Sequence, residues 1–128
     1  MTRKIIASSV IACFLIQAYA QQKAKVGYSF PPEMAAPVKA EYVKMWEKGQ
    51  VLYELNCAKC HNKTIKGQVV IPDFTPEQLK GYEIRVLNKE HEEDMPDEKV
   101  TAEELILIST FLSYKTKNSP EVNRLMQH

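Results

Sequence analysis

Five consecutive residues, Cys57-Ala58-Lys59-Cys60-His61, carry the clearest chemistry in this chain. Two thiols separated by two residues, with an imidazole directly after the second, form the pattern of a c-type haem attachment site. On one turn of helix both sulfurs reach the two vinyl groups of a single porphyrin and form thioethers. The residue that follows then lays its imidazole on the iron, a standard way of holding haem iron. Cys57 and Cys60 are therefore the candidate attachment residues and His61 the candidate iron ligand. Two other chemistries use the same atoms. A dithiol exchanger of the thioredoxin kind wants a strand ahead of its cysteine pair, and a zinc centre wants two further ligands at sensible spacing. The periodicity ahead of Cys57 is helical, and only His91 offers another ligand.

The elements that position this turn follow from the hydrophobic pattern. From Pro37 onward, Tyr42, Met45, Trp46, Gly49, Leu52 and Tyr53 recur at three- and four-residue steps. That spacing predicts one apolar helix face running directly into the cysteine motif. Gly49 costs about 1 kcal/mol relative to alanine inside a helix, so it is either simply tolerated there or marks the close approach of a second helix. Asn62 to Phe74 has no helical period and is expected to be loop. Thr75-Pro76-Glu77-Gln78 reads as a capping box with proline at the first helical position, opening a helix to about Asn88. A second capping box, Thr101-Ala102-Glu103-Glu104, opens the last strong helix. Its wide apolar face (Leu105, Ile106, Leu107, Ile108, Phe111, Leu112, Tyr114) implies deep packing. Lys115 and Lys117 are expected to complement the carbonyl end of its dipole, and Pro120 to end it. No strand pairs, repeats or low-complexity tract are apparent.

The N-terminus has the form of an export leader. Arg3 and Lys4 precede a mostly apolar stretch from Ile5 to Ile16, and Ala18-Tyr19-Ala20 supplies the small residues of a cleavage site. Residues 1–20 are accordingly expected to be a signal peptide, with thioether formation outside the cytoplasmic membrane, in the periplasm. Two alternatives attach the chain to a membrane. Val10-Ile11-Ala12-Cys13 resembles a lipobox that would lipidate Cys13, and the leader could stay uncleaved, although a span wants roughly 20 apolar residues. Residues 21–38, with Pro31, Pro32 and Pro37, form an extended segment. The main domain then covers 39–118, and 119–128 is a C-terminal tail. Removing Arg3 and Lys4 from the 17 basic residues leaves 15 against 16 acidic ones, a net charge of −1, and nothing suggests a nucleic-acid partner.

Residues 88–100 are polar and acidic around Met95-Pro96. A methionine set among carboxylates and followed by proline reads as a presented side chain rather than a core residue. The acidic run (Glu90, Glu92, Glu93, Asp94, Asp97, Glu98) is by default a solvated loop. Its other reading is a docking face for a basic partner, with steering that fades as salt is added.

From Tyr42 to Lys117 the chain resembles the small, single-haem class I cytochromes c exported by bacteria. The likeness rests on four features in order. Gly49-x-x-Leu52-Tyr53 precedes Cys57-x-x-Cys60-His61; Ile71-Pro72-Asp73-Phe74 resembles the proline segment downstream; Met95-Pro96 follows; and a terminal helix carries Phe111-Leu112. The resemblance implies an all-α fold of three to four helices wrapped around one covalently bound haem c, its first and last helices crossing. It implies Gly49 against Phe111, with Tyr53 beside them. It further implies Met95 as the second axial iron ligand, with His91 as the alternative. The Pro72 carbonyl would accept a hydrogen bond from His61 Nδ1 and so fix the ring.

On this reading the protein is not an enzyme. It is a single-electron carrier cycling iron between Fe(III) and Fe(II) for periplasmic redox proteins, both axial positions being filled. The alternative is a haem-based ligand sensor or enzyme in which Met95 leaves the sixth position open.

Overall fold

The computed structural model describes residues 24, 26–81 and 100–127 of the 128-residue chain. The leader and the Met95 loop, including His91 and the acidic run, lie outside the described residues. What is described is mostly helical: α1 (Ala36–Asn56), α2 (Ala58–His61), α3 (Pro76–Lys80), α4 (Ala102–Tyr114) and α5 (Pro120–Met126). A two-stranded antiparallel hairpin of β1 (Lys63–Ile65) and β2 (Gln68–Val70) lies between α2 and α3.

The core forms where α1 crosses α4. Trp46, Gly49 and Tyr53 are the buried positions of α1, and Leu105, Ile108, Phe111 and Leu112 those of α4. The 3- and 4-residue steps in each set put these residues on one side of their helix. At Gly49 the backbones meet: a Cβ there would lie 2.0 Å from the Leu107 carbonyl oxygen and 2.9 Å from Phe111 Cβ. Glycine is required because the facing atoms are main chain and cannot swing away. The rings fill the space around this contact, Trp46 and Tyr53 standing 5.2 and 5.5 Å from Phe111 between ring centroids. Each such aromatic pair adds about 0.5–1.5 kcal/mol beyond the area it buries. Not all of the apolar face of α4 is covered, since Ile106 is 51% exposed.

Both capping boxes form. Thr75 Oγ1 accepts from the Gln78 amide and Thr101 Oγ1 from the Glu104 amide, and each glutamine or glutamate side chain accepts from its threonine's amide in return. The helix opened by Thr75 ends at Lys80, with Gly81 as its cap, short of the expected Asn88; residues 82–88 lie outside the described residues.

The structure corrects the sequence reading at three further places. The stretch after the cysteine motif is not all loop, because Lys66 and Gly67, at φ 50° and 77°, make a two-residue turn that pairs Thr64 with Val69. Two positive φ values in sequence match the twist of paired strands, and the β-branched residues on either side suit them. Next, α4 ends at Tyr114 rather than at Pro120, and Pro120 instead opens α5 behind its cap, Ser119. The reason is an extended turn of the backbone at Lys115, where Tyr28 forms a bridge. Finally, Lys115 is not an exposed complement to the dipole at the end of α4; its side chain is buried against Asp73.

The extended N-terminal segment lies across the globule. Ser29 donates to the Tyr114 carbonyl at 2.7 Å and Thr116 to the Gly27 carbonyl at 2.8 Å. Phe30 is buried between Tyr42 and Tyr114, and Tyr28 meets the edge of Trp46. The tail, as α5, packs against β1: Lys66 pairs with Glu121 at 2.6 Å and Lys63 Nζ donates to the Met126 carbonyl. No helix of the described residues is long and apolar enough to cross a membrane.

Candidate functional site

The chain breaks direction at Cys57, whose φ of −121° and ψ of −34° separate α1 from α2. The Cys57 amide still donates to Tyr53 O at 2.8 Å, so the motif is tied to the last turn of α1. Cys60 and His61 both donate to Cys57 O, at 3.2 and 3.0 Å, closing one compact turn. Positions three apart in such a turn share a face. Neither Cys57 nor Cys60 is in a disulfide. Cys57 and Ala58 pack against the core, while Cys60 and His61 are exposed. The start of the turn is therefore bedded on the protein, and its end, Cys60 and His61, is exposed.

Two contacts define the surroundings of His61. Phe74 stands edge-on to the imidazole with ring centroids 6.5 Å apart, which brings the segment after β2 alongside it. Asn62, the next residue, accepts a 2.8 Å hydrogen bond at Oδ1 from the hydroxyl of Tyr53. Tyr53 is fully buried beneath the turn, and burial, aided by the proximity of Cys57, raises its phenol far above the ordinary tyrosine value. It is a neutral hydrogen-bond donor at any physiological pH. The core of the α1–α4 crossing thus reaches the end of the cysteine turn through one side chain.

Pro72 is half-buried in the connection from β2 to α3, between buried Ile71 and half-buried Asp73. This connection is held by a polar cluster that the sequence reading did not anticipate. Asp73 accepts from Lys115 Nζ at Oδ1, and at Oδ2 from the Asn118 amide and Asn123 Nδ2, both at 3.0 Å. Asn118 Nδ2 in turn donates to Ile71 O at 2.9 Å. The side chains of Lys115 and Asp73 are 1% and 17% exposed. Burial alone would push the Asp73 carboxyl up, but the hydrogen bonds from Lys115 and Asn123, the lysine's charge and the Asn118 amide outweigh it and hold the carboxyl below the usual range. The partners lie 42 to 50 residues apart in the chain, so no local spacing announces them. The only hint was a lysine directly after the apolar run of α4.

The donor set fits a haem bonded through two thioethers and held by one histidine. It offers two thiols on one turn, an outward imidazole next to them and aromatic and apolar side chains behind. Among the described residues no three His, Cys, Asp or Glu side chains gather into a metal cluster. Met95, the expected second axial ligand, and His91, its alternative, lie outside the described residues. No family model, curated protein or solved structure compared with the chain matches it.

Proposed function

We propose that the protein is an exported single-electron carrier of the class I cytochrome c type. Cys57 and Cys60 would hold one haem c by thioether bonds, with His61 on one face of the iron and Met95 on the other. The observation that carries the reading is the compact Cys57–His61 turn, closed on the Cys57 carbonyl and seated at the end of α1 with Cys60 and His61 exposed. Bound there, the haem supplies a reversible one-electron couple whose potential depends on axial ligands, hydrogen bonding and burial. The chain's own part is to hold and orient. Tyr53 anchors Asn62 and so fixes the end of the turn from below. Phe74 flanks the His61 ring edge-on from the side. The Pro72 carbonyl, two residues earlier, would be the acceptor for the His61 Nδ1 proton, holding the ring and raising its basicity. The close crossing at Gly49 supports the same reading, because it brings α1 against α4 ahead of the cysteine turn.

The deciding experiment is a pyridine haemochrome spectrum of chain exported and matured by a periplasmic haem-ligation system. One haem per chain that resists acid acetone is expected, and Cys57→Ser with Cys60→Ser should abolish it. Colourless matured protein, or pigment extracted by acid acetone, overturns the reading. Met95→Ala should then remove the thioether–iron charge-transfer band of the oxidised protein and lower its potential. Retention of that band assigns the sixth position to another residue.

A further inference from the structure

We infer that the buried Asp73–Lys115 pair is a positioning device that fixes the Ile71–Phe74 segment beside His61, so that the C-terminal end of the chain sets the imidazole's orientation. The inference rests on the reading of His61 as an iron ligand. It begins with a detail of placement: Asp73 directly follows Pro72 and directly precedes Phe74, the ring that meets His61. A carboxylate at that one position controls both neighbours. Its two oxygens take three donors, and these come from the end of α4 (Lys115), the linker beyond it (Asn118) and α5 (Asn123). Asn118 also returns a hydrogen bond to Ile71 O, so the segment is gripped on both sides of Pro72.

The lysine end is equally constrained. Lys115 occupies the extended residue after α4, bridged to Tyr28, and its amide donates to Phe111 O at 2.9 Å. Its side chain therefore projects from a backbone that α4 and the N-terminal segment already hold. A lysine that merely balanced the helix dipole would sit in water. This one is buried against a single carboxylate, where a charge is tolerated only with close partners. Replacing a buried ion pair by apolar residues is often neutral for stability, so the charge pair as such is not what the fold requires here. What the polar set adds is direction: four hydrogen bonds allow one placement of the segment, whereas apolar packing tolerates several.

The test compares wild type, Asp73→Asn, Asp73→Glu and the double variant Asp73→Leu with Lys115→Met. Two NMR readouts are used on matured protein: the exchange rate of the His61 Nδ1 proton and the backbone order parameters of residues 71–74. The double variant should stay folded, with a urea midpoint below wild type because the Asn118 amide and Asn123 Nδ2 lose their acceptor. Its His61 proton should nevertheless exchange at least about tenfold faster, and its order parameters should fall from about 0.85 toward 0.6. Asp73→Glu should recover most of the protection, and Asp73→Asn, where it folds, should show the same loss. A double variant with wild-type exchange and wild-type order parameters overturns the proposal, leaving the pair a packing element. If the haemochrome test fails, the function reading falls on its own, and the order parameters still show whether the pair holds the segment.

Discussion

At the α1–α4 crossing the contacts are rings and backbone. One residue past the end of α4 they are a carboxylate, an ammonium and amides. Both regions bear on the same turn, the crossing through Tyr53 and Asn62 and the polar cluster through Asp73 and Phe74. The crossing is close-packed, so its contribution comes from many small contacts and resists change of volume. The cluster contributes little net stability, since two charges had to leave water to form it, yet losing one partner strands the other. An apolar contact and a polar one thus fail differently: the first by degrees, the second all at once.

The largest expected effect tests that contrast at Asp73. Asp73→Asn leaves Lys115 buried without its counter-charge and should cost about 3–5 kcal/mol in urea unfolding. Because the fold depresses the Asp73 carboxyl, its contribution to stability is present above the ordinary aspartate pKa of 3.8. That contribution is lost as the pH falls below this value and through the group's own lower pKa. Wild type should therefore lose stability on acidification through that range more steeply than Asp73→Asn. Parallel pH profiles, or a cost under about 1 kcal/mol, would mean the pair behaves as a solvated one.

Next in size is Gly49→Ala. Alanine gains about 1 kcal/mol in helix propensity, so a tolerant site would be stabilised. Here the new methyl meets the Leu107 carbonyl oxygen at 2.0 Å, and main chain must move. Overpacking of that kind costs about 3 kcal/mol or more, leaving a net loss of roughly 2. A rise in the urea midpoint would show that the helices do not touch there.

These two sites were not equally legible. Gly49 announced itself because a glycine inside a helical pattern is costly, and the resemblance supplied Phe111 as its partner. Thr75 and Thr101 were legible because a capping box is written within four residues. Asp73 and Lys115 were not, because each residue is ordinary in its own neighbourhood and the meaning lies in a pairing across 42 positions. The hairpin was missed for a different reason. Lys66-Gly67 is a weaker signal than Asn-Gly, and three-residue strands are too short to show alternation. Phe30 and Tyr28 were visible as aromatic residues, but only the structure decides that their extended segment lies across α1 and the end of α4.

The smallest predicted effect lies on the apolar side, at Trp46. Its ring sits between Tyr28 and Phe111, and the residue is only 5% exposed. Its Nε1 is buried with no hydrogen-bond partner among the described residues. Trp46→Phe removes contact area, which destabilises, and also removes an unsatisfied donor worth about 1–3 kcal/mol, which stabilises. The two terms oppose, so the urea midpoint should move by less than the equivalent of about 1 kcal/mol. A much larger loss would mean that the indole N–H has a partner. In that case polar satisfaction would matter at the crossing as it does around Asp73, and the contrast between the two regions would narrow to one of charge alone.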